Sequence, residues 1–504
     1  MISNLYSLFQ SRFPKDLSKP CLMNASENSL SYGALDEKTA QMAGCLNGLK
    51  VSKGDRVAVQ VDKSPEAVIL YLACLRIGAV YLPLNTGYTA DELNYFIGDA
   101  TPKVVVCDSK NELALTPIAA NNGVAHLLTL DANGCGSLIV ANDTAKPLTK
   151  ICDVAGDDLA AILYTSGTTG RSKGAMLSHD NLSSNAKVLH TYWGWQEDDV
   201  LLHALPIFHV HGLFVAIHCA LMNGSPMWFL PKFDPAQICA LLPKSTVMMG
   251  VPTFYTRLLD FDGFTAGICS NMRLFISGSA PLLEETFNSF KSKIGMPILE
   301  RYGMTEAGMI TSNPLNGERI AGTVGYPLPG VSARLCDENG VPVAVGDAGV
   351  LEITGPNVFK GYWQMPNKTA EEFRADGFFI TGDIATISDD GRIAIVGRAK
   401  DLIISGGYNV YPKEIELIVD ELAGVKESAV IGLSHPDFGE AVFAVIVKDG
   451  SADVDAPTII ENLRGQLAKF KQPKSIAFID ELPRNTMGKV QKKTLREIYA
   501  NQFK

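Results

Sequence analysis

The sequence contains no apolar run long enough to cross a membrane and no secretion signal. Nowhere do about 18 uncharged apolar residues follow one another, and the first residues, MISNLYSLFQSRFPKD, lack the apolar stretch of a signal peptide. These absences predict a protein that does not span a membrane and has no membrane partner. They favour a cytoplasmic location.

The cysteines and the basic residues also lack the patterns of metal and nucleic-acid sites. Ten cysteines stand singly between Cys21 and Cys336, with no C-x-x-C pair and no His/Cys cluster at metal-ligand spacing. The 54 acidic residues outnumber the 44 basic ones, giving a net charge of -10, and no basic block is interleaved with aromatic residues. We therefore expect reduced thiols and no nucleic-acid partner.

The sequence does contain enough apolar residues for a large α/β core. Its 504 residues, 46% of them hydrophobic, indicate at least two domains. RVAVQV at 56–61 predicts a strand, and Ser64, Pro65 and Gly78 predict the start and end of the helix that follows. Further apolar runs at 80–84, 104–108, 126–131, 226–231, 246–252 and 273–280 continue this alternation. The expected fold class is α/β, with doubly wound mixed sheets in a large N-terminal domain.

The last third of the chain has a different pattern. From about Gly349 it favours β-hairpins, as in 377–398, where Asp390-Gly391 predicts a turn. After GRAKD at 397–401 a compact α+β segment follows. We predict a domain of residues 1–398 that includes a β-rich subdomain, and a small domain of residues 399–504.

One short stretch, YTSGTTGRSKG at 164–174, has the composition of a phosphate-binding loop. Gly167 and Gly170, with the four hydroxyl residues Thr165, Ser166, Thr168 and Thr169, let backbone amides and hydroxyls surround an anion, and Lys173 adds a positive charge. The spacing differs from G-x-x-x-x-G-K-[ST], the Walker loop. Taken alone, the stretch fits an ordinary polar turn equally well.

Further motifs follow this loop in order: ERYGMTE at 300–306, TGD at 381–383, GR at 397–398, SGGYNVYPKEIE at 405–416 and PRNTMGKVQK at 483–492. Together they resemble the adenylate-forming superfamily of acyl-CoA synthetases, luciferases and peptide-synthetase adenylation domains. The resemblance covers nearly the whole chain. It implies an enzyme that joins a carboxylate to the α-phosphorus of ATP, releases pyrophosphate and then lets a thiol displace AMP.

The resemblance also implies a nucleotide site. Tyr302 would flank the adenine and Asp383 would accept hydrogen bonds from the ribose hydroxyls. The residues assigned to ATP or AMP are Thr165, Ser166, Gly167, Thr168, Thr169, Gly170, Lys173, Ser279, Ala280, Glu300, Arg301, Tyr302, Gly303, Met304, Asp383 and Arg398.

Catalysis is assigned to three residues by the same resemblance. Glu306 would bind Mg²⁺ through its hard carboxylate oxygen, and Thr305 would donate to the α-phosphate. Lys489 would reach the reacting carboxylate and the α-phosphate. Because Lys489 lies in the small domain, that domain is expected to move between the two half-reactions, with Lys400 as the hinge.

The thiol is expected to be that of free coenzyme A. Gly406, Gly407 and Tyr408 would line its passage, since glycine permits close approach. The chain ends shortly after Lys489, which predicts no fused carrier domain. The oligomeric state stays open between a monomer and a weak dimer.

The acid is predicted from PIFHVHG at 206–212, GVPTFYTR at 250–257 and RLFISGSAPL at 273–282. His209, His211 and Ser279 would surround the acid, and Arg257, read as following an aromatic-lined strand, could hold a second carboxylate. These stretches resemble the malonyl-CoA synthetase group, which implies malonate as substrate. Ala307-Gly308-Met309 departs from the group's usual pattern and leaves tolerance for methylmalonate open.

Other functions are compatible with parts of this pattern. If Arg257 points away from the pocket, a short-chain, medium-chain or aromatic monocarboxylic acid becomes the expected substrate. A luciferase-like oxygenation uses the same adenylation residues. The hypothesis of a non-catalytic nucleotide-binding regulator predicts that Glu306 or Lys489 is lost. Both residues are present, so this hypothesis ranks last.

Overall fold

The computed structural model describes residues 3–165, 172–405, 408–436, 438–452, 454–464, 466–467, 469–486 and 488–503, with the side chains of 408 and 409 excepted. The strands are β1 (Pro20–Met23), β2 (Ser29–Ser31), β3 (Arg56–Gln60), β4 (Val80–Pro83), β5 (Val104–Cys107), β6 (His126–Thr129), β7 (Leu159–Thr165), β8 (Lys173–Ser178), β9 (Leu201–His203), β10 (Met227–Phe229), β11 (Val247–Gly250), β12 (Leu274–Ser277), β13 (Leu299–Met304), β14 (Gly308–Ser312), β15 (Tyr326–Pro327), β16 (Ser332–Cys336), β17 (Gly349–Thr354), β18 (Phe379–Ile387), β19 (Ile393–Arg398), β20 (Ile403–Ser405), β21 (Tyr408–Val410), β22 (Val425–His435), β23 (Gly439–Lys448) and β24 (Ser475–Phe478).

The α-helices are α1 (Leu5–Gln10), α2 (Tyr32–Gly48), α3 (Pro65–Ile77), α4 (Ala90–Ala100), α5 (Glu112–Asn121), α6 (Ser137–Asp143), α7 (His179–Tyr192), α8 (His218–Asn223), α9 (Pro235–Leu241), α10 (Pro252–Leu259), α11 (Glu284–Ile294), α12 (Pro366–Glu371), α13 (Pro412–Asp420), α14 (Ala456–Arg464) and α15 (Lys492–Ile498). A π-helix, His211–Ile217, leads into α8.

Two large mixed sheets form the core of the N-terminal part. One has the order β15-β14-β13-β12-β11-β9-β10-β1-β2, parallel from β1 to β13 through the centre and antiparallel at both edges. The other has the order β6-β5-β3-β4-β7-β8, with β7 and β8 antiparallel. The carboxyl ends of parallel strands form the edge where ligands of open α/β sheets bind.

Two smaller sheets follow. Strands β16, β17, β18 and β19 form an antiparallel sheet, and β21, β20, β23 and β22 form another that β24 joins through a parallel pairing with β23. The predicted α/β class with a small C-terminal α+β unit is confirmed. The proposed boundary after Arg398 falls at the end of β19 and stays a prediction.

Several local predictions are confirmed by the capping contacts of α3. Ser64 accepts a hydrogen bond from the Ala67 backbone amide, Pro65 takes the first helical position, and Gly78 ends the helix with a left-handed φ of 73°. The hairpin sheet begins earlier than predicted, because Ser332–Cys336 pairs with β17 along its whole length. Among the described residues, no helix is long and apolar enough to span a membrane.

Candidate active site

Strands β7 and β8 place the two ends of the predicted phosphate loop side by side. Thr165 pairs with Lys173 across the two strands, and the Thr165 hydroxyl lies 3.4 Å from the Lys173 carbonyl oxygen. Ser166, Gly167, Thr168, Thr169 and Gly170 lie outside the described residues. The ladder therefore brings Lys173 to the base of this loop.

Lys173 belongs to a network of charged and hydroxyl groups that the sequence did not predict. Its Nζ lies 2.6 Å from Glu372 Oε1 and 4.1 Å from the centre of the Tyr362 ring. The Tyr362 hydroxyl lies 2.6 Å from Glu372 Oε2 and 3.2 Å from Glu306 Oε1. Glu306 is buried, which raises the pKa of its carboxyl, while the Lys173 charge opposes that shift. This network, Lys173–Glu372–Tyr362–Glu306, joins the phosphate loop to the predicted metal ligand.

A second group joins β13 to the hairpin sheet. The Tyr302 hydroxyl donates to Asp383 Oδ2 at 2.5 Å, and Arg398 Nε lies 2.5 Å from Asp383 Oδ1. Asp383 is buried, and β18 and β19 align it with Arg398 across the ladder. Each carboxylate oxygen has a further lone pair, so Asp383 can still accept hydrogen bonds from a ligand. The structure thus brings together the three residues predicted to contact the nucleoside.

The loop that carries Lys489 lies against the N-terminal part of the chain. A Cβ at Gly488 would lie 3.1 Å from Thr253 Oγ1 in α10, and Asn85 Nδ2 lies 3.3 Å from Thr486 Oγ1. The neighbouring Asn485 side chain accepts a hydrogen bond from the Lys489 backbone amide at 2.9 Å. These contacts hold the C-terminal unit over the ends of the parallel strands.

Lys489 itself is exposed, but protein atoms surround part of its side chain. The loss of hydration, helped by the positive charge of Arg398, lowers the pKa of Lys489 to about 8, although Asp383 opposes the shift. Lys489 also contributes to the lowered pKa of His209. Its ammonium therefore lies within electrostatic range of the predicted nucleoside and acid sites.

Two histidines lie on the loop between β9 and the π-helix. The His211 backbone amide donates to His209 Nδ1 at 3.2 Å, and His211 Nδ1 lies 3.2 Å from the Ser279 hydroxyl. Ser279 has a φ of 73°, an uncommon value for a residue with a side chain. Burial lowers the pKa of His209 to about 4, so the ring is neutral at physiological pH. The predicted acid-site residues His209, His211 and Ser279 are thus neighbours.

The buried arginine of ERYGMTE lies beside these histidines. Arg301 is 3% exposed, and its Nε and Nη2 have no hydrogen-bond partner among the described residues. Its guanidinium packs against Gly278, where a Cβ would lie 2.4 Å from the Arg301 Cζ. Burial lowers the pKa of Arg301 to about 9, and its charge lowers the pKa of His209 and His211. The sequence assigned Arg301 to the nucleotide, whereas its charge faces the acid site as well.

Glu300, the neighbour of Arg301, has a supporting contact. Its Oε1 accepts a hydrogen bond from the Leu282 backbone amide at 3.2 Å, which ties the segment after Ser279 to β13. Burial raises the pKa of Glu300 to about 8. The remaining predicted residues of these segments, Ala280, Gly303, Met304 and Thr305, are partly exposed along the same edge.

The surroundings of Arg257 differ from the prediction. GVPTFYTR contains the start of α10, because Pro252 takes the first helical position, and so Arg257 lies in a helix and not after a strand. Its side chain is exposed and pairs with no carboxylate of the described residues. Positions four apart share a helix face, so Arg257 lies on the same face as Thr253, which contacts the Lys489 loop. Arg257 therefore lies on the side of α10 that is next to the Lys489 loop.

The predicted hinge and thiol passage are placed only in part. Lys400 is exposed in a single 3₁₀ turn, Ala399–Asp401, between β19 and β20. Asp401 pairs with Arg496 in α15 at 2.7 Å, which attaches the residue after Lys400 to the C-terminal unit. Gly406 and Gly407 and the side chain of Tyr408 lie outside the described residues. The roles of all four residues stay predictions.

The sequence analysis assigned no role to Tyr362, Glu372, Thr253 or Asn85, although Thr253 lies within the stretch GVPTFYTR. Tyr362, Glu372 and Asn85 lie in segments without an unusual composition. All four become part of the site through contacts between distant parts of the chain. TAEEF at 369–373 gives no local signal that distinguishes Glu372 from Glu371, which is exposed. Their roles could be found only from the tertiary structure.

Comparisons with known proteins agree with this arrangement. The family model described as AMP-binding enzyme matches residues 9–363, and the one described as AMP-binding enzyme C-terminal domain matches residues 414–489. A malonate–CoA ligase of Arabidopsis thaliana is 34% identical, with 99% of this chain and 90% of the relative covered. The mitochondrial malonate–CoA ligase ACSF3 of Mus musculus is 36% identical over 90% of this chain and 84% of the relative. Because relatives include mitochondrial proteins, the cytoplasmic location stays a prediction.

Solved structures give the same result for the fold. ATP-bound MatB from Rhodopseudomonas palustris is 54% identical and superposes with a TM-score of 0.97 over 100% of both chains. The apo form of the same protein, also 54% identical over 100% of both chains, superposes with a TM-score of 0.86. The whole chain thus superposes better on the ATP-bound form. With a family model matching most of its length and these relatives matching nearly all of it, the chain belongs to the AMP-binding enzyme family.

Proposed function

We propose that the protein ligates malonate to coenzyme A at the expense of ATP, through a malonyl-adenylate, giving malonyl-CoA, AMP and pyrophosphate. The assignment of malonate as substrate rests on Arg301, a buried guanidinium whose Nε and Nη2 have no hydrogen-bond partner among the described residues. A buried cation without a partner costs free energy, so its presence beside the predicted acid site favours a substrate that has a second anionic group besides the reacting carboxylate. The malonate–CoA ligases among the relatives support the same acid.

Two arginines would hold the second carboxylate of malonate. Arg301 would bind it from the buried side, near His209 and His211, and a planar guanidinium suits a carboxylate geometrically. Arg257 lies on the side of α10 that is next to the Lys489 loop and would approach from that side. A monocarboxylic acid would leave Arg301 without a counter-charge, so the pair should select dicarboxylates.

Glu306 has the surroundings expected of a Mg²⁺ ligand. Its carboxylate is buried, and among the described residues no three His, Cys, Asp or Glu side chains cluster as a complete metal site. Mg²⁺ commonly takes one or two protein carboxylates together with substrate phosphates. The residues therefore fit an ion shared between Glu306 and ATP, which would neutralise phosphate charge. Lys173 and the loop before it would hold the β- and γ-phosphates, and Thr305 would donate to the α-phosphate.

The first half-reaction forms one bond and breaks another. A carboxylate oxygen of malonate attacks the α-phosphorus, and the bond from that phosphorus to the pyrophosphate oxygen breaks. Attack brings two anions together, so a positive charge near the pentacoordinate phosphorus lowers the barrier. Lys489 supplies that charge, while neutral His209 bounds the acid without neutralising the attacking carboxylate.

The second half-reaction exchanges AMP for coenzyme A. The thiol sulfur attacks the acyl carbon, the acyl–phosphate bond breaks, AMP leaves and the thiol proton passes to solvent. The Lys489 loop occupies the cleft beside Thr253, so the C-terminal unit must move to admit the thiol. Rotation at Lys400 would bring Gly406, Gly407 and Tyr408 to the cleft as the walls of the thiol passage, with free coenzyme A as the acceptor.

A substrate panel tests this proposal. We expect pyrophosphate release with malonate, ATP, Mg²⁺ and coenzyme A to exceed that with acetate, butyrate, benzoate or ferulate by at least about a hundred-fold in kcat/KM, because only malonate compensates the buried Arg301 charge. Methylmalonate is included to measure tolerance for a branch. A preference for benzoate or ferulate would instead support an aromatic acyl-CoA synthetase and would reject malonate as the substrate.

The pH dependence of adenylation should follow Lys489. The Lys489 ammonium is charged below its pKa of about 8 and loses its proton above it, so kcat/KM for ATP should fall as the pH rises through about 8. ATP–pyrophosphate exchange without coenzyme A measures this free-enzyme titration without contribution from the thiol. In Lys489→Arg the guanidinium stays charged at this pH. The kcat/KM for ATP that remains in this variant should therefore not decline near pH 8. The same alkaline decline in both proteins would contradict the assignment.

A further inference from the structure

A buried lysine outside the motifs contacts the base of the histidine loop. Lys63 follows β3 in the six-stranded sheet, is 9% exposed, and lies 2.7 Å from Nδ1 and 3.0 Å from the carbonyl oxygen of His203. Its Nζ also lies 4.2 Å from the centre of the Phe229 ring. His203 and Phe229 end β9 and β10 of the nine-stranded sheet. Lys63 therefore joins the two large sheets at their ligand-binding edge.

The three contacts use the full donor capacity of Lys63. An ammonium has three N–H groups, and here the His203 ring nitrogen, the His203 carbonyl and the Phe229 ring face it. Within the described residues it pairs with no carboxylate, and burial lowers its pKa well below the usual value. Such a group is a poor source of stability, because an unpaired buried ammonium costs free energy. Lys63 is thus poorly explained as a stabilising contact, and it has no donor left for a ligand.

The contact with Gly212 fixes the tautomer of His203. Nε2 lies 2.9 Å from the Gly212 carbonyl oxygen, which can only accept, so Nε2 carries the ring proton and donates it. Burial lowers the pKa of His203 well below its usual value, so the ring is neutral and Nδ1 accepts a hydrogen bond from Lys63 Nζ. Gly212 is the second residue of the π-helix, and π-helical turns are frequent at functional sites. The hydrogen bonds thus run from Lys63 through His203 to the start of this helix.

The loop supported in this way carries the acid-site histidines. A Cβ at Gly212 would lie 2.0 Å from the Pro206 carbonyl oxygen, so the two ends of the PIFHVHG segment meet. Inside it, the Leu213 amide donates to the His209 carbonyl at 3.0 Å and the His211 amide to His209 Nδ1. The segment 206–212 is therefore a compact loop whose position follows that of Gly212, and its polar support from the other sheet is the Lys63–His203 pair.

We propose that Lys63 and His203 are positioning residues for acid binding: together they hold the 206–212 loop so that His209 and His211 keep the geometry that the acid requires. Neither residue touches the substrate. This inference rests on the proposed function, because it assigns the loop to the acid. It predicts that removing the pair weakens use of the acid while the nucleotide site, built on β7, β8, β13 and β18, is unaffected.

Lys63→Met tests the proposal, since methionine fills similar volume without charge or donor. We expect KM for malonate to rise about ten-fold, because a displaced loop loses binding of the acid, with KM for ATP changed less than about two-fold. The midpoint of thermal unfolding should change little, because removal of the buried amine group and loss of its hydrogen bonds to His203 have opposite effects on stability. The matched control is Lys110→Met, an exposed lysine that pairs with Asp62 next to Lys63. It should leave both KM values unchanged.

A double-mutant cycle with His203→Phe gives the second measurement. If both residues act through one chain of hydrogen bonds, the double variant should raise KM for malonate no more than the larger single effect. Parallel increases in KM for both substrates with a lower unfolding midpoint would show a merely structural lysine and overturn the proposal, as would an unchanged KM for malonate. If the wild-type protein does not use malonate, the proposed function fails. The same variants are then measured with the preferred acid of the panel, by the same criteria.

Discussion

Replacement of Lys489 by alanine is expected to reduce ATP–pyrophosphate exchange by about a hundred- to a thousand-fold, the range found when one preorganised charge or donor is removed from a transition state. The neighbouring Gly488 lies beside Thr253 of α10, and Lys489 lies within electrostatic range of His209, Asp383 and Arg398. The positive charge it brings offsets the approach of the acid carboxylate to the α-phosphate. Lys400 also lies within electrostatic range of Asp383 and Arg398, whereas Lys489 acts on His209 as well.

The same variant should retain the second half-reaction. Thioester formation from supplied malonyl-adenylate and coenzyme A requires the rotated arrangement, in which the Lys489 loop has left the cleft, so its rate should fall by less than about ten-fold. Lys493→Ala is the matched control, because Lys493 is close in sequence, highly exposed and 3.8 Å from Glu497 at the surface. Equal loss of both half-reactions in Lys489→Ala would reject the assignment of Lys489 to adenylation alone.

Replacement of Arg301 by glutamine is expected to lower kcat/KM for malonate by about a hundred- to several-thousand-fold, because breaking a buried charge pair costs on the order of 3–5 kcal/mol. Glutamine retains polar atoms to contact the neighbouring groups but has no charge for the second carboxylate. Activity on acetate or propionate should be retained or increased, since these acids leave Arg301 unpaired in the wild-type protein. The measurement is pyrophosphate release at fixed ATP and coenzyme A.

Arg257 gives a graded comparison within the same experiment. Because its side chain is exposed, its pairing with a carboxylate contributes less binding free energy. Arg257→Ala should therefore lower kcat/KM for malonate by about ten-fold or more, without loss of activity on monocarboxylic acids. Arg464→Ala, an exposed arginine in α14, serves as the control and should change neither activity. If malonate and monocarboxylate activities fall together in Arg301→Gln, Arg301 supports the fold and the dicarboxylate proposal loses its main argument.

The agreement between sequence and structure is best where the signal is local. Ser64, Pro65 and Gly78 define α3 because each acts on the backbone within a few residues of itself. Asp390-Gly391 defines the hairpin of β18 and β19 for the same reason. The prediction for GVPTFYTR was wrong, since a short apolar run fits a strand or a helix and Pro252 decided for the helix.

By itself, the sequence determined the α/β class and the order of the motifs, and it predicted which residues form the nucleotide and lysine sites. Only the tertiary structure decided which partners those residues meet. Lys173 pairs with Glu372, 199 positions away, and Lys63 contacts His203, 140 positions away. Such pairs form when separate sheets pack with their strand ends at one edge, and no local pattern encodes that packing. Burial likewise makes Arg301, and not the exposed Arg257, the stronger candidate for binding a second carboxylate, because desolvation depends on everything packed around a charge.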